Sequence, residues 1–391
     1  MSKRSFRTAL GVVLGTLLIV AGVLAYMVTR AFAYPEAAHV GTGQDIEVEI
    51  KSGMSFPAVA RALAEKKVIA KPTWFRLYAM WEGKTTEVKP GKYLIKDNVT
   101  PAEVLATITK GVKDVTVRVT LPEGKNMLEY FALIEQACSV DVEPGKPCPT
   151  PPIAKAAELE ALARDKDFLG KFAITGDNVD GYLFPDTYQF RVGEKPAVVL
   201  SRLIARHQEV WNELISKHPK DTAKLKEKMG WSDRDILTMA SIVEKEAIAA
   251  EERPRIAQVF INRLSSPSFK PKKLQTDPTI RYGCLVPKQK SAACIAWNEP
   301  CVKDHKDPGC DRLHEAQLHD EDNPYNTYTH EGLPPGPISN PGKASIEATL
   351  SPDGSDYFYF VASSKGSRTH AFAKTAAEHE KNVAKYVGTQ D

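Results

Sequence analysis

Hydrophobic and polar positions change rhythm several times along the chain, and the first rhythm is unbroken apolarity. Ala9 to Val28 run without a charge behind a basic cluster of Lys3, Arg4 and Arg7. At about 1.5 Å per helical residue this stretch is long enough to cross a bilayer core. Residues 9–28 are therefore expected as a transmembrane helix, with 1–8 as a cytoplasmic N-terminus. The chain beyond Arg30 would then lie outside the inner (plasma) membrane, in the periplasm. The competing reading is a cleaved signal peptide with Ala31-Phe32-Ala33 as its site. The apolar run exceeds the usual signal core of about 7 to 15 residues, and Arg30 sits poorly beside a cleavage point.

Beyond the span, period-two and helical patterns alternate. Ile46 to Ile50 alternates as a strand, and the next stretch puts Val59, Leu63 and Ala64 on one side of a helix. A second strand at Tyr93-Leu94-Ile95 precedes Thr100-Pro101-Ala102-Glu103. That tetrad supplies a Thr N-cap, a Pro at the first helical position and a Glu that closes a capping box. Val104, Leu105 and Ile108 form the buried side of this helix. Residues 45–112 are thus expected as a small α+β module.

Val115 to Leu121 alternates strictly. Prolines between 137 and 156, with Cys138 and Cys148, mark a stapled loop. Residues 157–230 have helical periodicity, interrupted at 181–190 (GYLFPDTYQF) by four aromatics around a Pro-Asp turn, expected as core or as a cleft wall. The Pro-Gly run at 332–342 is too rigid for a linker and is expected to shape a wall. Tyr357 to Ala362 reads as a strand, and Thr375-Ala376-Ala377-Glu378 opens a last helix. The fold class is α+β: one N-terminal transmembrane helix, a small α+β module and a mixed helical/β body at 113–391.

Composition narrows the picture. A chain of 391 residues, 42% hydrophobic and 26% charged, is neither disordered nor fibrous, and its length suits two or three folded units. The net charge of +3 becomes −1 once the four basic residues of the first thirty are set aside. With no basic stripe, nucleic acid is excluded as a partner. Six cysteines suit an oxidising compartment: a 138/148 bridge and two more within Cys284, Cys294, Cys301 and Cys310, whose three pairings stay open. Zinc competes, since His305, His314 and His319 are near, but no C-x-x-C occurs and the gaps are uneven. No metal is expected.

Candidate chemistry sits on a helix capped by Ser232-Asp233-Arg234-Asp235 and running ILTMASIVEKEAIAAEE. Ile236, Met239, Ala240, Val243, Ala247 and Ala250 share one arc facing the core, and Lys245 points to solvent. Glu244 and Glu246 lie on opposite shoulders, about 200° apart, and cannot share a proton. Glu246 falls between Met239 and Ile242 in projection, at the rim of apolar packing. Desolvation there would raise its pKa toward neutrality, as a general acid requires. Spacing alone does not separate this from an ordinary charged helix shoulder. Gln275, Thr276 and Asp277 concentrate short polar groups before Pro278, and Asn326 lies between Tyr325 and Tyr328. Sugars need this mixture of planar polar groups and ring faces, although Asp277 also suits a simple Asp-Pro turn.

SIVEKEA at 241–247, VFINRL at 259–264, LQTDPT at 274–279, YNTY at 325–328, GLPPGPI at 332–338 and GYLFPDTY at 181–188 together resemble the YceG-like endolytic murein transglycosylases, the MltG family. The resemblance covers the whole chain in order. It implies a LysM-like module at 45–112, a YceG-like catalytic domain at 113–391 and a catalytic acid at Glu246, with Gln275, Thr276, Asp277, Tyr325 and Asn326 as substrate-binding candidates. The implied activity is that of a lyase. It would cleave the β-1,4 bond between N-acetylmuramic acid and N-acetylglucosamine in nascent peptidoglycan strands, form 1,6-anhydro ends without cofactor or metal, and limit strand length beside penicillin-binding and other cell-wall synthesis proteins. Two departures stand out: Ala247, where the family often has Thr, and a longer Cys-rich insertion at 284–322.

Overall fold

The apolar N-terminal run folds as one helix, α1 (Lys3–Ala33), followed by a 3-10 turn at Tyr34–Glu36. In the computed structural model, residues 3–37, 41–111, 116–138, 152–303, 312–364 and 366–386 are described, with side chains from Leu17 on except at 298–303. Within them Leu17–Glu36 is long and apolar enough to cross a membrane. The chain divides into two units, Met1–Asp114 and Val115–Asp391.

In the first unit, β1 (Asp45–Ile50) leads to α2 (Phe56–Glu65), α3 (Pro72–Trp81), β2 (Gly91–Lys96) and α4 (Pro101–Lys110). The strands pair antiparallel, with Val48 opposite Tyr93 and Ile46 opposite Ile95. Their inward side chains meet Val59, Leu63, Phe75, Val104, Leu105 and Ile108 in one core. The box at Thr100 forms as its residues require: Glu103 N–H donates to Thr100 Oγ1 at 3.2 Å, and Thr100 N–H to Glu103 Oε2 at 2.8 Å. Helix α3 is absent from the sequence reading, because its apolar residues lie on both faces and blur the periodicity.

The second unit begins with β3 (Thr116–Thr120), α5 (Met127–Gln136), α6 (Ala156–Ala163), α7 (Lys166–Lys171) and β4 (Thr187–Arg191). β3 and β4 pair antiparallel, Val117 opposite Phe190 and Val119 opposite Tyr188. Phe184, Tyr188 and Phe190 of the aromatic segment are buried, so these rings are core. Gly181 begins the turn at φ +87, and a Cβ there would come within 2.6 Å of Pro337. That close approach and the left-handed backbone both demand glycine.

Next come α8 (Pro196–Lys217), α9 (Pro219–Met229), α10 (Asp233–Glu246), α11 (Arg253–Ser265), α12 (Asp277–Leu285), α13 (Ala292–Lys303), α14 (Glu315–Leu318), α15 (Lys343–Leu350), β5 (Tyr359–Ala362), β6 (His370–Ala373) and α16 (Ala376–Tyr386). The third hairpin pairs β5 with β6. Helix α10 departs from the single-arc expectation. Every residue from Ile236 to Val243 is buried, since α11 and α15 pack on it and Ser241 bonds to Ile338 and Ser339. It also stops at Glu246, so Ala247 and Ala250 do not belong to it. Residues 247–249 instead alternate in extended fashion, Ala247 and Ala249 inward and Ile248 54% exposed, and Ala250 is exposed.

Cys284 and Cys294 form a disulfide that joins α12 to α13. Cys138 is also disulfide-bonded; Cys148, Cys310 and the Cys301 side chain lie outside the described residues.

Candidate functional site

The end of α10 is where backbone geometry gives way to chemistry. Glu246 is the last residue of that helix, where unpaired carbonyls make the surroundings electronegative and favour a protonated carboxyl. Its side chain opens into a cleft of about 1200 Å³ within the second unit. Burial pushes the carboxyl up to about 7; neighbouring Asp277 adds to the rise, while Arg263 and Lys245 oppose it. A group in that range can both hold and release a proton at neutral pH.

Glu244, two residues earlier, has a different job. Its side chain is 7% exposed and stands 3.7 Å from Arg253. It accepts from Gly342 N–H at 3.0 Å and Ser345 Oγ–H at 2.7 Å. Those bonds tie the start of α15 to α10. Lys245 is exposed, as its position on the wheel predicts, and donates to Gly124 O at 3.2 Å.

The second polar segment splits by alternation. Gln275, at φ +55, and Asp277 line the cleft. Thr276 between them points inward and is 3% exposed, its N–H donating to Thr327 Oγ1 at 3.0 Å. Tyr325 is buried against Tyr282, with ring centroids 4.8 Å apart. Asn326 is fully buried: its amide donates to Gln317 O, Leu318 O and Asp320 O, and its Oδ1 accepts from Tyr328 N–H at 2.9 Å. Glu246, Gln275 and Asp277 thus share one cleft, whereas Thr276, Tyr325 and Asn326 stand behind its wall and brace it.

That bracing positions a residue the sequence reading did not assign. Tyr328 lines the cleft, and its hydroxyl donates to Asp277 Oδ1 at 2.8 Å. Arg263 of α11 is another. Only 7% exposed, it donates through Nε to Phe358 O at 2.7 Å and through Nη1 to Leu274 O. Burial brings its guanidinium down to about 10, and its charge remains intact at neutral pH. VFINRL contains Arg263, so the motif carried the signal without the role.

The third hairpin closes the cleft with Tyr359, Phe360 and His370, and α16 adds His379. Glu252 fixes His370 at two points, accepting from its backbone N–H at 3.0 Å and meeting its Nδ1 at 2.7 Å. His379 stacks on Tyr359 at 5.2 Å. The assembled surface offers a proton-holding carboxyl, a carboxylate held by a phenol, a buried cation and several ring faces. Among the described residues no group of three or more His, Cys, Asp or Glu is placed to hold a metal ion.

The chain is 29% identical over 362 residues to an endolytic murein transglycosylase of Bacillus subtilis, covering 88% of this chain and 86% of that one. An endolytic murein transglycosylase of Streptococcus pneumoniae is 25% identical, and the match spans 59% of its length. A crystal structure of a YceG-like protein from Listeria monocytogenes aligns with a TM-score of 0.50 at 28% identity, over 87% of this chain and 99% of that one. The YceG-like family matches residues 48–385, and the chain belongs to that family.

Proposed function

We propose that this protein is a membrane-anchored lytic transglycosylase of peptidoglycan, with Glu246 as its single acid and base. The observation that carries this reading is the placement of Glu246 at the end of α10 in a cleft of about 1200 Å³, where burial pushes its carboxyl up to about 7. Protonated, Glu246 donates to the glycosidic oxygen as the bond between N-acetylmuramic acid C1 and the leaving N-acetylglucosamine O4 breaks. Ionised, it takes the proton from the muramoyl C6 hydroxyl as that oxygen bonds to C1. The proton returns to Glu246, no water is consumed, and a 1,6-anhydro end remains. Arg263 stabilises the ionised carboxylate between the two steps. Gln275 and Asp277 are proposed to hold sugar hydroxyls, with Thr276, Tyr325 and Asn326 supporting them from behind.

In the same proposal, α1 is the uncleaved anchor with its N-terminus in the cytosol, residues 45–112 are a LysM-like module that holds glycan, and 113–391 is the catalytic domain. Leu285 and Val286, at the start of the 284–322 insertion, line the cleft, which supports a role for that insertion in shaping one side of it. Endolytic cutting of nascent strands beside penicillin-binding and other synthesis proteins is inferred from the family.

A hydrolytic reading is favoured by one observation: Asp277 is close enough to raise the pKa of Glu246, so a second carboxylate is at hand. Glu244 is not available for that role, being committed to Gly342, Ser345 and Arg253. Mass spectrometry of fragments released from peptidoglycan separates the outcomes. Anhydro ends that disappear in Glu246→Gln are expected; ends heavier by one water, made by the wild type, would establish hydrolysis; unchanged release by the variant would remove Glu246 from the chemistry.

A further inference from the structure

Helix α3 leaves an apolar face uncovered. Leu77, Met80 and Trp81 are 54%, 61% and 67% exposed, and their spacing puts them on one side. Phe75 and Ala79 on the other side are fully buried, so the helix is held in place without the exposed three.

This face lies beside the end of α1. The Trp81 ring meets Phe32 edge-on, with centroids 5.6 Å apart. At the other end of α3, Trp74 lies 6.2 Å from Tyr34, whose hydroxyl donates to Lys71 O at 3.1 Å. Phe32 and Tyr34 both fall within the apolar stretch Leu17–Glu36. Tyr26, with Arg30 over its ring at 5.4 Å, completes a girdle of aromatic and cationic side chains. Such girdles occupy the boundary between acyl chains and headgroups. Lys71 at the N-cap of α3 and Arg76 within the helix are exposed and supply charge for anionic headgroups.

We propose that the Leu77–Met80–Trp81 face of α3 docks into the interfacial layer of the bilayer that α1 crosses. The inference rests on reading α1 as a membrane span. Given that span, contact between Trp81 and Phe32 holds the face at membrane level, and any protein partner would have to reach it through the headgroups. An amphipathic helix with bulky apolar residues and flanking cations suits that layer. Docking would fix the attitude of the 45–111 module to the membrane plane instead of leaving it free on a tether.

The test uses the full chain in nanodiscs containing phosphatidylglycerol and phosphatidylcholine brominated near the headgroup end of the acyl chains. In a Trp74→Phe background, which removes the ring beside Tyr34, brominated lipid is expected to quench the tryptophan emission, and most of the quenched fraction is expected to vanish on adding Trp81→Phe. Leu77→Ser with Met80→Ser, both exposed and so compatible with folding, should cut Trp81 quenching at least twofold. A chain that enters the disc while Trp81 emission is indifferent to bromine overturns the docking and leaves the anchor standing. Disulfide cross-linking of Met80→Cys between two chains in one disc would assign the face to a second copy and overturn it equally. Failure to enter the disc at all would remove the anchor reading and the docking with it.

Discussion

The 45–111 module and the cleft-bearing body bury different chemistry. Among the described residues every polar or charged residue classed as buried lies in the body, from Asn178 to Thr349. The module buries aliphatic and aromatic side chains, with the Tyr93 hydroxyl satisfied by Lys89 O and Ile108 O. The contrast comes from regularity. Strands and helices pair their own backbone, so a short module built of them needs only caps at its ends. Several connections of the body are irregular, and their backbone groups depend on side chains. Asn340 receives Gly181 N–H and Leu183 N–H and donates to Lys125 O. A fold with long irregular connections thus places amides and hydroxyls where a more regular one places leucine.

The comparison is broken most severely by removing the carboxyl proposed as the acid and base. Glu246→Gln is expected to lower activity on peptidoglycan by at least 10²- to 10⁴-fold, the scale of general acid–base catalysis, while its circular dichroism stays that of the wild type.

Next comes the bracing. Asn340→Ala strands buried backbone donors and should cost about 3 kcal/mol of stability. Hydrogen exchange should accelerate at Gly181 and Leu183 and leave β1 and β2 unchanged; equal acceleration in both units would deny the contrast.

The third prediction concerns pH. Burial in the folded protein pushes the Glu246 carboxyl from its ordinary 4.5 up to about 7. The folded state therefore binds its proton more tightly, and this group's contribution to stability falls as pH rises from about 4.5 to about 7. Glu246→Gln cannot ionise, so it should gain on the wild type by about 1 to 3 kcal/mol at pH 8 relative to pH 4. Thermal unfolding at the two pH values measures this, and an unchanged difference would contradict it.

The smallest effect belongs to the module. Thr100→Ala removes the cap of α4 and should cost about 1 kcal/mol, seen as faster exchange in the first turn of that helix with peptidoglycan cleavage unaltered.

Legibility tracked the range of the interactions. The boxes at Thr100 and Ser232 form between residues three apart, and β1, β2 and β3 form where alternation predicts strands, whereas β4 lies in a stretch read as aromatics around a turn. Helix α3 eluded its own periodicity because its outer face stays apolar. At the site, the sequence singled out Glu246, Gln275 and Asp277, which lie in one cleft, but could not tell them from Thr276, which alternates inward, or from Tyr325 and Asn326, which turn away. Arg263, Tyr328 and His370 acquire their places only when α11, the 325–328 turn and the third hairpin converge.

By itself, then, the sequence determined the capped starts of α4 and α10 and the inward faces of β1, β2 and β3, and it singled out the motif that carries Glu246, since capping and alternation are local. Tertiary structure alone decided that Glu246 ends its helix within the cleft while Glu244 ties down α15. It also set the Glu246 proton affinity, because desolvation and the fields of Asp277 and Arg263 arise only when distant segments surround the carboxyl.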